Sequence, residues 1–573
     1  MKYQSNTKQS IKRNWKQLLP VILCIHYSLF TIHYSLAQSL VAQKKEYTRA
    51  DSLRGGLRHE RTCYDVTFYD LKVKIDTATQ SISGTNRIVF KAIDDFKTMQ
   101  IDLFDNMNIV SIKQNGEAVK YRREFNAVFV DLNDFMKRGL NGEIEVRYSG
   151  KPIIAKRAPW DGGFTWTHDK NGKPWIAVAC EGMGASCWWP CKDYLGDEPD
   201  SMSIWCNVPD GLRCILNGTE MESREEKDTT TSFHWFVHYP INNYNVTLNI
   251  GDYVQFSDEY VADDNSKLAL DYYVMRYNLD KAKLQFTQVK PMLKCYEKYL
   301  GKYPFWKDGY ALVETPYLGM EHQGAIAYGN RYLTGYAGND YSGMGLDFDY
   351  IIIHESAHEW WGNSVSCKDI ADMWIHESFA TYTESIYVEC MLGHDTAIQY
   401  INKKKKHIGN DKPVVGVYGV NEEGDGDMYS KGALFINTLR TIVNDDEKWW
   451  SIIKGMCDTS FKMKNVSYEN VAMYFCRKTG KDLLPVFEQY LKFSKIPVFE
   501  YKLKKLKKGE FELSYRWAVN AKDFKMPVFI STIENPKQML KGTNEFQTTT
   551  VKLKKETDFK VNEDLVYIEV KKI

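Results

Sequence analysis

Two histidines and a glutamate near the middle of the chain have the spacing of a metal-binding helix. Residues 351–361 read IIIHESAHEWW, so His354 and His358 are four positions apart and Glu355 follows the first histidine. Residues four apart share one face of an α-helix and lie about one turn from each other, so two imidazoles can bind one metal ion. Glu355 is displaced around the helix, where it can act as a general base beside the metal. We therefore predict a catalytic metal site on this helix.

A catalytic zinc site uses three protein ligands and keeps one coordination position open. Glu377, 19 residues after His358 and at the start of the next helical pattern, is the predicted third ligand. The alternative is that these are ordinary polar residues of the core, but burying unpaired histidines and glutamates is costly. We therefore predict one Zn²⁺ per chain, held by His354, His358 and Glu377. Glu384, two turns after Glu377, is either a hydrogen-bond acceptor for a ligand histidine or a surface glutamate.

The elements that must position these residues change in type along the chain. From Tyr64 to about residue 255, short runs of alternating apolar residues are separated by turns, which predicts an all-β region. From about residue 280 the apolar period becomes helical, with helices predicted at 279–300, 347–361, 376–391, 430–443 and 483–494. Strands return from about residue 498. The predicted fold class is therefore α+β, with several domains.

The composition narrows the class of protein further. The chain has 573 residues, of which 43% are hydrophobic and 26% charged, which excludes a disordered chain and predicts several domains. Its 75 Lys and Arg residues nearly balance 74 Asp and Glu residues, so nucleic acid is not an expected partner. The lysine runs at 403–406 and 504–508 have no interleaved aromatic residues, and they are predicted to be solvated faces.

The amino terminus has the pattern of a secretory signal. Basic residues precede an apolar stretch without acidic residues from Leu18 to Ala37, which ends in the small-residue pattern Ser35-Leu36-Ala37. We predict cleavage after residue 37 and export to the periplasm or the extracellular space. The alternative is an uncleaved anchor, which is the one case in which membrane contact is expected. Signal removal leaves 11 of the 12 cysteines, an odd number whose pairing the sequence does not determine.

Three further segments stand in the order and spacing of a known family. Residues 316–321 read PYLGME and resemble a G-x-M-E exopeptidase motif, with Glu321 placed 33 residues before His354. Tyr429 begins the segment YSKGA, which is similar to a Y-x-K-G segment that carries a catalytic tyrosine. Glu181, nine residues before Pro190, lies in a segment like the family's amino-terminal loop. Together with the metal motif, these segments resemble the aminopeptidase N and leukotriene-hydrolase family of gluzincin metallopeptidases over about residues 60–490.

The resemblance implies a layout of domains. It implies an N-terminal β-saddle domain and a thermolysin-like zinc catalytic domain, which are expected at residues 38–257 and 258–496. The strand pattern after them predicts a small C-terminal β-sandwich at residues 497–573. The large C-terminal helical domain of longer relatives is not expected in this chain.

The resemblance also implies hydrolysis of the first peptide bond of peptides that have a free amino terminus. Glu355 would take a proton from water and pass it to the leaving amine, and Tyr429 would donate its hydroxyl to the oxyanion. The substrate ammonium would be bound by Glu181 and by the segment Gly319-Met320-Glu321. Carboxylates at a fixed distance from the metal act as a ruler, because only a peptide whose amine lies one residue from the scissile carbonyl satisfies both sites.

Two other functions remain open. A thermolysin-like endopeptidase would use the same zinc residues without needing a free amine, and a catalytically silent member would only bind peptides. The silent reading is disfavoured because the predicted ligands, base and tyrosine are all present. The exopeptidase segment also departs from the family pattern: Leu318 replaces its first glycine, and His322 stands where an asparagine usually buttresses the segment. We expect His322 to be structural.

Overall fold

The computed structural model describes residues 46–573, so the predicted signal sequence at 1–37 lies outside the described residues. Two short helices come first, α1 (Arg49–Gly55) and α2 (His59–Thr62). Fifteen strands follow: β1 (Tyr64–Asp76), β2 (Ser81–Ala92), β3 (Phe96–Asp102), β4 (Met107–Gln114), β5 (Glu117–Ala118), β6 (Lys120–Glu124), β7 (Ala127–Met136), β8 (Asn141–Gly150), β9 (Gly163–His168), β10 (Pro174–Ala179), β11 (Ser201–Pro209), β12 (Arg213–Leu216), β13 (Thr219–Glu225), β14 (Thr230–Val237) and β15 (Leu248–Gly251).

These strands form three sheets. Eight lie in one mixed sheet in the order β13-β14-β11-β1-β2-β8-β4-β5, where β1 and β11 are parallel. The other two have the orders β3-β7-β6 and β12-β15-β10-β9. The alternating apolar residues of β1 face the core, but its register with β2 shifts between Val66 and Phe68, so that Tyr69 is buried and Phe68 is partly exposed. A bulge of this kind moves the alternation by one residue, which the sequence pattern does not reveal.

Helices and short strands alternate in the central region. Its strands are β16 (Tyr253–Val261), β17 (Lys267–Met275), β18 (Tyr310–Glu314), β19 (Gly319–Met320), β20 (Ile326–Tyr328), β21 (Val365–Cys367) and β22 (Lys464–Val466). Its helices are α3 (Leu279–Gln285), α4 (Val289–Leu300), α5 (Tyr350–Ala357), α6 (Trp374–Leu392), α7 (His394–Lys403), α8 (Ser430–Val443), α9 (Asp446–Gly455), α10 (Tyr468–Thr479) and α11 (Leu484–Leu491). Each of the five predicted helical segments overlaps one or two of these helices, and α6 extends beyond its predicted segment at both ends. The predicted domain boundary at residue 257 falls inside β16.

Seven strands complete the chain: β23 (Val498–Lys507), β24 (Glu510–Ala518), β25 (Lys525–Ser531), β26 (Gln538–Thr543), β27 (Gln547–Lys552), β28 (Lys560–Val561) and β29 (Glu569–Lys572). They form two sheets, β27-β24-β23-β29 and β26-β25-β28. Their apolar residues share one core with the central helices, and residues 50–573 form one compact unit.

A five-stranded sheet separates the two large cores near the predicted metal site. Its order is β16-β17-β18-β20-β19, and β18 is parallel to both of its neighbours. Alternate residues of β18 face opposite sides, so Leu312 packs in the core of the helices while Ala311 and Val313 pack in the core of the amino-terminal sheets. The short strand β19 at the edge of this sheet carries Gly319 and Met320 to the junction of the two cores.

One disulfide, Cys295–Cys390, joins α4 to the end of α6. The other nine cysteines of residues 46–573 are thiols, including Cys180, Cys187 and Cys191, and all but Cys476 are buried. Within these residues, no helix is both long and apolar enough to cross a membrane.

Candidate active site

Helix α5 presents the metal motif from inside the core. The side chain of Asp349 caps the helix, accepting hydrogen bonds from the backbone amides of Ile351 (3.0 Å) and Ile352 (3.4 Å). The three isoleucines at 351–353 are buried, and they anchor the helix against its neighbours. His354 follows in the last turn and His358 is the residue that caps the carboxyl end.

The three predicted ligands meet at one point. The Nε2 atoms of His354 and His358 are 3.3 Å apart, and Glu377 Oε2 lies 3.6 Å from each of them. Ligand atoms about 2.0–2.2 Å from one tetrahedral Zn²⁺ are separated by about 3.3–3.6 Å. Glu377 Oε2 is buried and has no hydrogen-bond partner within the described chain. This donor set fits zinc, because a metal ion satisfies the carboxylate oxygen and relieves the close approach of the two ring nitrogens.

The electrostatics of the three ligands also favour a cation between them. Burial lowers the pKa of His358, but Glu377 and Glu321 outweigh burial and raise that pKa to about 9. The pKa of Glu377 is lowered despite its burial, because His358 and His354 stabilise its charged form. A histidine nitrogen must be deprotonated to bind a metal ion, so a bound metal ion would replace the proton that the raised pKa of His358 retains on its ring.

Hydrogen bonds at Nδ1 orient the imidazole rings of His354 and His358. His354 Nδ1 lies 2.8 Å from Glu384 Oε1, and His358 Nδ1 lies 2.8 Å from the backbone carbonyl of Trp361. Each contact leaves Nε2 for the metal and fixes the ring plane. Glu384 is fully buried, so the alternative of a surface glutamate is wrong. Its other oxygen, Oε2, accepts hydrogen bonds from Tyr400 and Lys404.

Glu355 lies against the edge strand β19. Its side chain is 8% exposed, and burial raises its pKa to about 7 although His354 and His358 oppose the shift. A Cβ atom on Gly319 would lie 2.6 Å from Glu355 Oε1 and 2.9 Å from Cγ2 of Ile351. Gly319 is thus required for the close approach of the strand to the predicted base.

We expect Gly319→Ala to lower kcat by about 10²-fold, because a displacement of about 1 Å at a catalytic group has effects of that size. Zinc content should remain unchanged, since the atoms nearest to the added Cβ belong to Glu355 and Ile351 and not to the three ligands. Gly426→Ala is the matched control, as an added Cβ there meets no atom within 4 Å. Steady-state kinetics on both variants test this, and equal activities would show that the alanine is accommodated without moving Glu355.

The predicted amine-binding carboxylates lie beside the metal ligands. One oxygen atom each of Glu181, Glu321 and Glu377 lies within 4.8 Å of the others. The Tyr244 hydroxyl donates a hydrogen bond of 3.0 Å to Glu321 Oε1, and Asn363 Nδ2 donates one of 2.8 Å to the Glu321 backbone carbonyl. Both hydrogen bonds come from other segments of the chain. They hold the exopeptidase segment, which an asparagine at the position of His322 usually buttresses in the family. The contacts of Tyr244 and Asn363 with Glu321 are not predicted from the sequence, because no local spacing connects either residue to Glu321.

His322 is a core residue and not a titrating group of the cleft. Its side chain is fully buried, and neither ring nitrogen has a hydrogen-bond partner within the described chain. Burial lowers the pKa of His322 to about 3, so the ring is neutral. This agrees with its expected structural role.

Tyr429 lies at the amino end of α8. Its position depends on the close packing of α8 against α6. A Cβ on Gly432 would lie 1.9 Å from Oγ of Ser378, so α8 approaches α6 as only a glycine allows. Ser378 Oγ in turn donates a 2.7 Å hydrogen bond to the Met428 carbonyl. Tyr429 is 37% exposed as a whole residue, but desolvation of its hydroxyl and the charge of Glu377 raise its pKa well above its ordinary value, so the hydroxyl keeps its proton.

A cavity of about 660 Å³ connects these residues. All ten predicted site residues except Glu384 line it, together with side chains that the sequence analysis did not select. Among the added residues are Trp160, Tyr336, Tyr400 and Lys404. The prediction of a solvated face at 403–406 is wrong for Lys404, whose side chain is 14% exposed and ion-paired with Glu384.

Comparison with known proteins relates this site to a family. Residues 284–490 match the model of the peptidase family M1 domain. The chain is 23% identical over 452 residues to "Probable aminopeptidase 1" of Sulfurisphaera tokodaii, covering 74% of this chain and 53% of that protein. It is 24% identical over 443 residues to "Leucyl aminopeptidase" of Saccharolobus solfataricus, with the same coverage of 74% and 53%. The chain thus spans about half the length of these relatives.

Solved structures share the fold. A mutant of an M1 zinc metallopeptidase from Deinococcus radiodurans, crystallised with a Tyr-Ser-Ala substrate, has a TM-score of 0.65 at 18% identity. The match covers 76% of this chain and 95% of that one. The unsubstituted protein gives 0.64 at the same identity, with 94% of its chain covered. These findings support a place for the chain in an aminopeptidase N-like gluzincin family, and the match to the peptidase family M1 domain covers residues 284–490.

Proposed function

We propose that this protein is a zinc aminopeptidase, which removes the first residue from peptides with a free amino terminus. The observation that carries the proposal is the grouping of Glu181 and Glu321 with Glu377, whose oxygen atoms lie within 4.8 Å of one another. Two carboxylates beside a metal ligand provide a site for one ammonium group at a fixed, short distance from the reacting carbonyl. The aminopeptidase names of the relatives support the same activity.

His354, His358 and Glu377 would hold the zinc ion, for the reasons of geometry and charge given above. When bound, zinc supplies Lewis-acid chemistry that activates water and polarises the scissile carbonyl. Glu355 takes the proton of the attacking water and transfers it to the nitrogen of the leaving amine. Tyr429, which keeps its proton, donates a hydrogen bond to the oxygen on which negative charge develops.

The acidic pair decides which bond is cut. Glu321 is 3% exposed and is fixed by Tyr244, so its position relative to the metal ligands cannot adjust to a longer substrate segment. A peptide whose charged amine reaches Glu321 and Glu181 places its first carbonyl at the metal. An acetylated amine has no charge to offset the carboxylates of the buried Glu321 and the partly buried Glu181, and it should bind poorly.

A panel of aminoacyl-coumarin substrates tests the activity. The zinc-loaded protein should release coumarin from free aminoacyl derivatives, and the N-acetylated derivatives should be at least about 10²-fold poorer substrates, since a buried charge loses its partner. A chelator should abolish turnover, and added Zn²⁺ should restore it. Turnover that survives metal removal would overturn the zinc mechanism.

The two alternatives give different results with an internal peptide bond. A thermolysin-like endopeptidase would cleave an acetylated and amidated peptide, whereas the proposed aminopeptidase would not. A silent peptide-binding module would bind the free-amine peptides without releasing any product. Mass spectrometry of both peptides after incubation separates all three.

We further propose that the domain layout is a β-saddle at residues 38–257, a thermolysin-like catalytic domain at 258–496 and a C-terminal β-sandwich at 497–573. The changes from sheets to helices and back to sheets along the chain support this division. Limited proteolysis tests it, because the first cuts in a folded chain fall at exposed segments between domains. First cuts near residues 257 and 496 would support these boundaries, and first cuts at other positions would argue for different ones.

Export of the protein is a separate proposal. The signal pattern of the first 37 residues supports it, and a disulfide between Cys295 and Cys390 is typical of oxidising compartments. Expressed with its own amino terminus in a bacterium, the protein should be recovered from the periplasm or medium with a mass that begins at Gln38. A full-length mass in the membrane fraction would instead support a retained anchor, and a full-length cytoplasmic protein would contradict export.

A further inference from the structure

Glu384, the carboxylate beside Nδ1 of His354, is itself held by two other side chains. Glu384 Oε1 lies 2.8 Å from His354 Nδ1, and Glu384 Oε2 accepts hydrogen bonds of 2.6 Å from the Tyr400 hydroxyl and of 2.6 Å from Lys404 Nζ. The Glu384 carboxylate is fully buried, and Tyr400 is 6% exposed. One oxygen therefore faces the metal ligand, while the other is bound by two donors.

Both donors come from one helix end. Tyr400 lies in α7, and Lys404 follows its last residue in a short 3₁₀ turn at Lys404–His407. The two positions are four apart, so they share one face of the helix, which is the spacing needed to reach the same carboxylate oxygen. The ammonium of Lys404 also lies 5.0 Å from the ring centre of Tyr400, which limits its freedom to leave the carboxylate.

Without these donors, the Glu384 carboxylate would have little reason to keep its orientation. A buried carboxylate that loses its charged partner is strongly destabilised and tends to rotate or to take up a proton. Either change would weaken the contact with His354 Nδ1. The next polar group at that nitrogen, the Tyr350 hydroxyl, is 3.4 Å away and could take over only part of this role.

We propose that Tyr400 and Lys404 are positioning residues of the metal centre, which hold Glu384 so that the His354 ring presents Nε2 to the metal. The inference takes the zinc of the proposed function as given, but it concerns metal affinity and not turnover. It also assigns a role to Lys404 within a lysine run that otherwise has the pattern of a solvated surface.

The test is the zinc affinity of Tyr400→Phe and Lys404→Met, measured by competition with a chromophoric chelator at equilibrium. Loss of a group that orients a metal ligand typically weakens metal binding by about 10- to 100-fold, and we expect at least about tenfold for each variant. Lys403→Met is the matched control, because Lys403 is exposed and no hydrogen bond or ion pair of its ammonium is found in residues 46–573. Its zinc affinity should stay within about twofold of the wild-type value, since only a group that orients a ligand moves the affinity by more.

The sign of the change at Lys404 separates positioning from simple charge. A cation near the site repels Zn²⁺, so if Lys404 acted only through its charge, Lys404→Met would bind zinc more tightly. Tighter or unchanged binding in this variant would overturn the proposal. Tyr400→Phe changes no charge and removes one oxygen atom, so unchanged binding in that variant would also overturn it, even if Lys404→Met does not fold.

A double-mutant cycle tests the path through Glu384. In a Glu384→Gln background, Lys404→Met should weaken zinc binding by less than about twofold, because its partner carboxylate is gone. An equal loss in both backgrounds would show that Lys404 does not act through Glu384. Thermal unfolding of the metal-free variants separates these effects from a merely structural role, which would lower the midpoint without changing zinc affinity. Failure of the proposed function would appear differently, as a wild-type protein that binds no zinc or turns over no substrate.

Discussion

Glu355→Gln should lower kcat by about 10²- to 10⁴-fold, which is the range for removal of a positioned general base. The substitution keeps the size of the side chain but removes its ability to accept a proton. KM should change less than kcat, because Glu355 groups with Glu321 and His358 but not with Glu181, and both predicted ammonium-binding carboxylates remain in the variant. Steady-state kinetics with an aminoacyl-coumarin substrate measure both parameters.

Two controls make the Glu355 result specific. The zinc content of Glu355→Gln should remain one ion per chain, because His354, His358 and Glu377 are untouched. Its thermal midpoint should be unchanged or higher, since burial already disfavours the charged carboxylate at this position. Wild-type turnover in the variant would exclude Glu355 as the base, and loss of zinc would mean that the variant does not test catalysis by this residue alone.

Glu321→Gln should lower kcat/KM for free aminoacyl substrates by about 10- to 100-fold, because a hydrogen bond to a charged group is worth about 1.5–3 kcal/mol. The ratio between the kcat/KM values of free and N-acetylated substrates should shrink, since one of the two carboxylates that favour a charged amine has lost its charge. Glu321 is 3% exposed, so solvent does not screen the interaction strongly.

Glu423→Gln is the matched control for Glu321. Glu423 is a glutamate that lines the same cavity, but it is exposed and lies outside the group formed by Glu181, Glu321 and Glu377. If position relative to the metal matters, Glu423→Gln should have a clearly smaller effect on the ratio between free and acetylated substrates. Equal effects of the two substitutions would mean that the cavity attracts cations by total charge, and the ruler explanation would fail.

The metal-binding residues could be predicted from the sequence because their chemistry is local. His354 and His358 are separated by one helical turn, so their relative position follows from the geometry of any α-helix. The buried flanks at 351–353 and the change of period near residue 280 were also readable, since they depend on the alternation of apolar residues. The bulge in β1 was not, because an extra residue in one strand is defined only by the register of its partner.

Predictions were less complete where partners come from distant segments. Tyr244 and Asn363 hold Glu321 from 77 and 42 residues away, and neither has a spacing that links it to the exopeptidase segment. Lys404 was misread because a run of four lysines has the composition of a solvated face. Only the packing of α7 against α6 turns this one ammonium toward a buried carboxylate.

The sequence by itself determined the type of chemistry, because the identity and spacing of the ligands, the predicted base and the helix that carries them are properties of a short segment. It also determined the order of sheet and helix regions. The tertiary structure decided how the acidic residues from three segments come within 4.8 Å of one another and which side chains hold them there. The reason is physical: helical geometry specifies distances over a few residues, whereas distances between segments depend on the packing of whole sheets and helices.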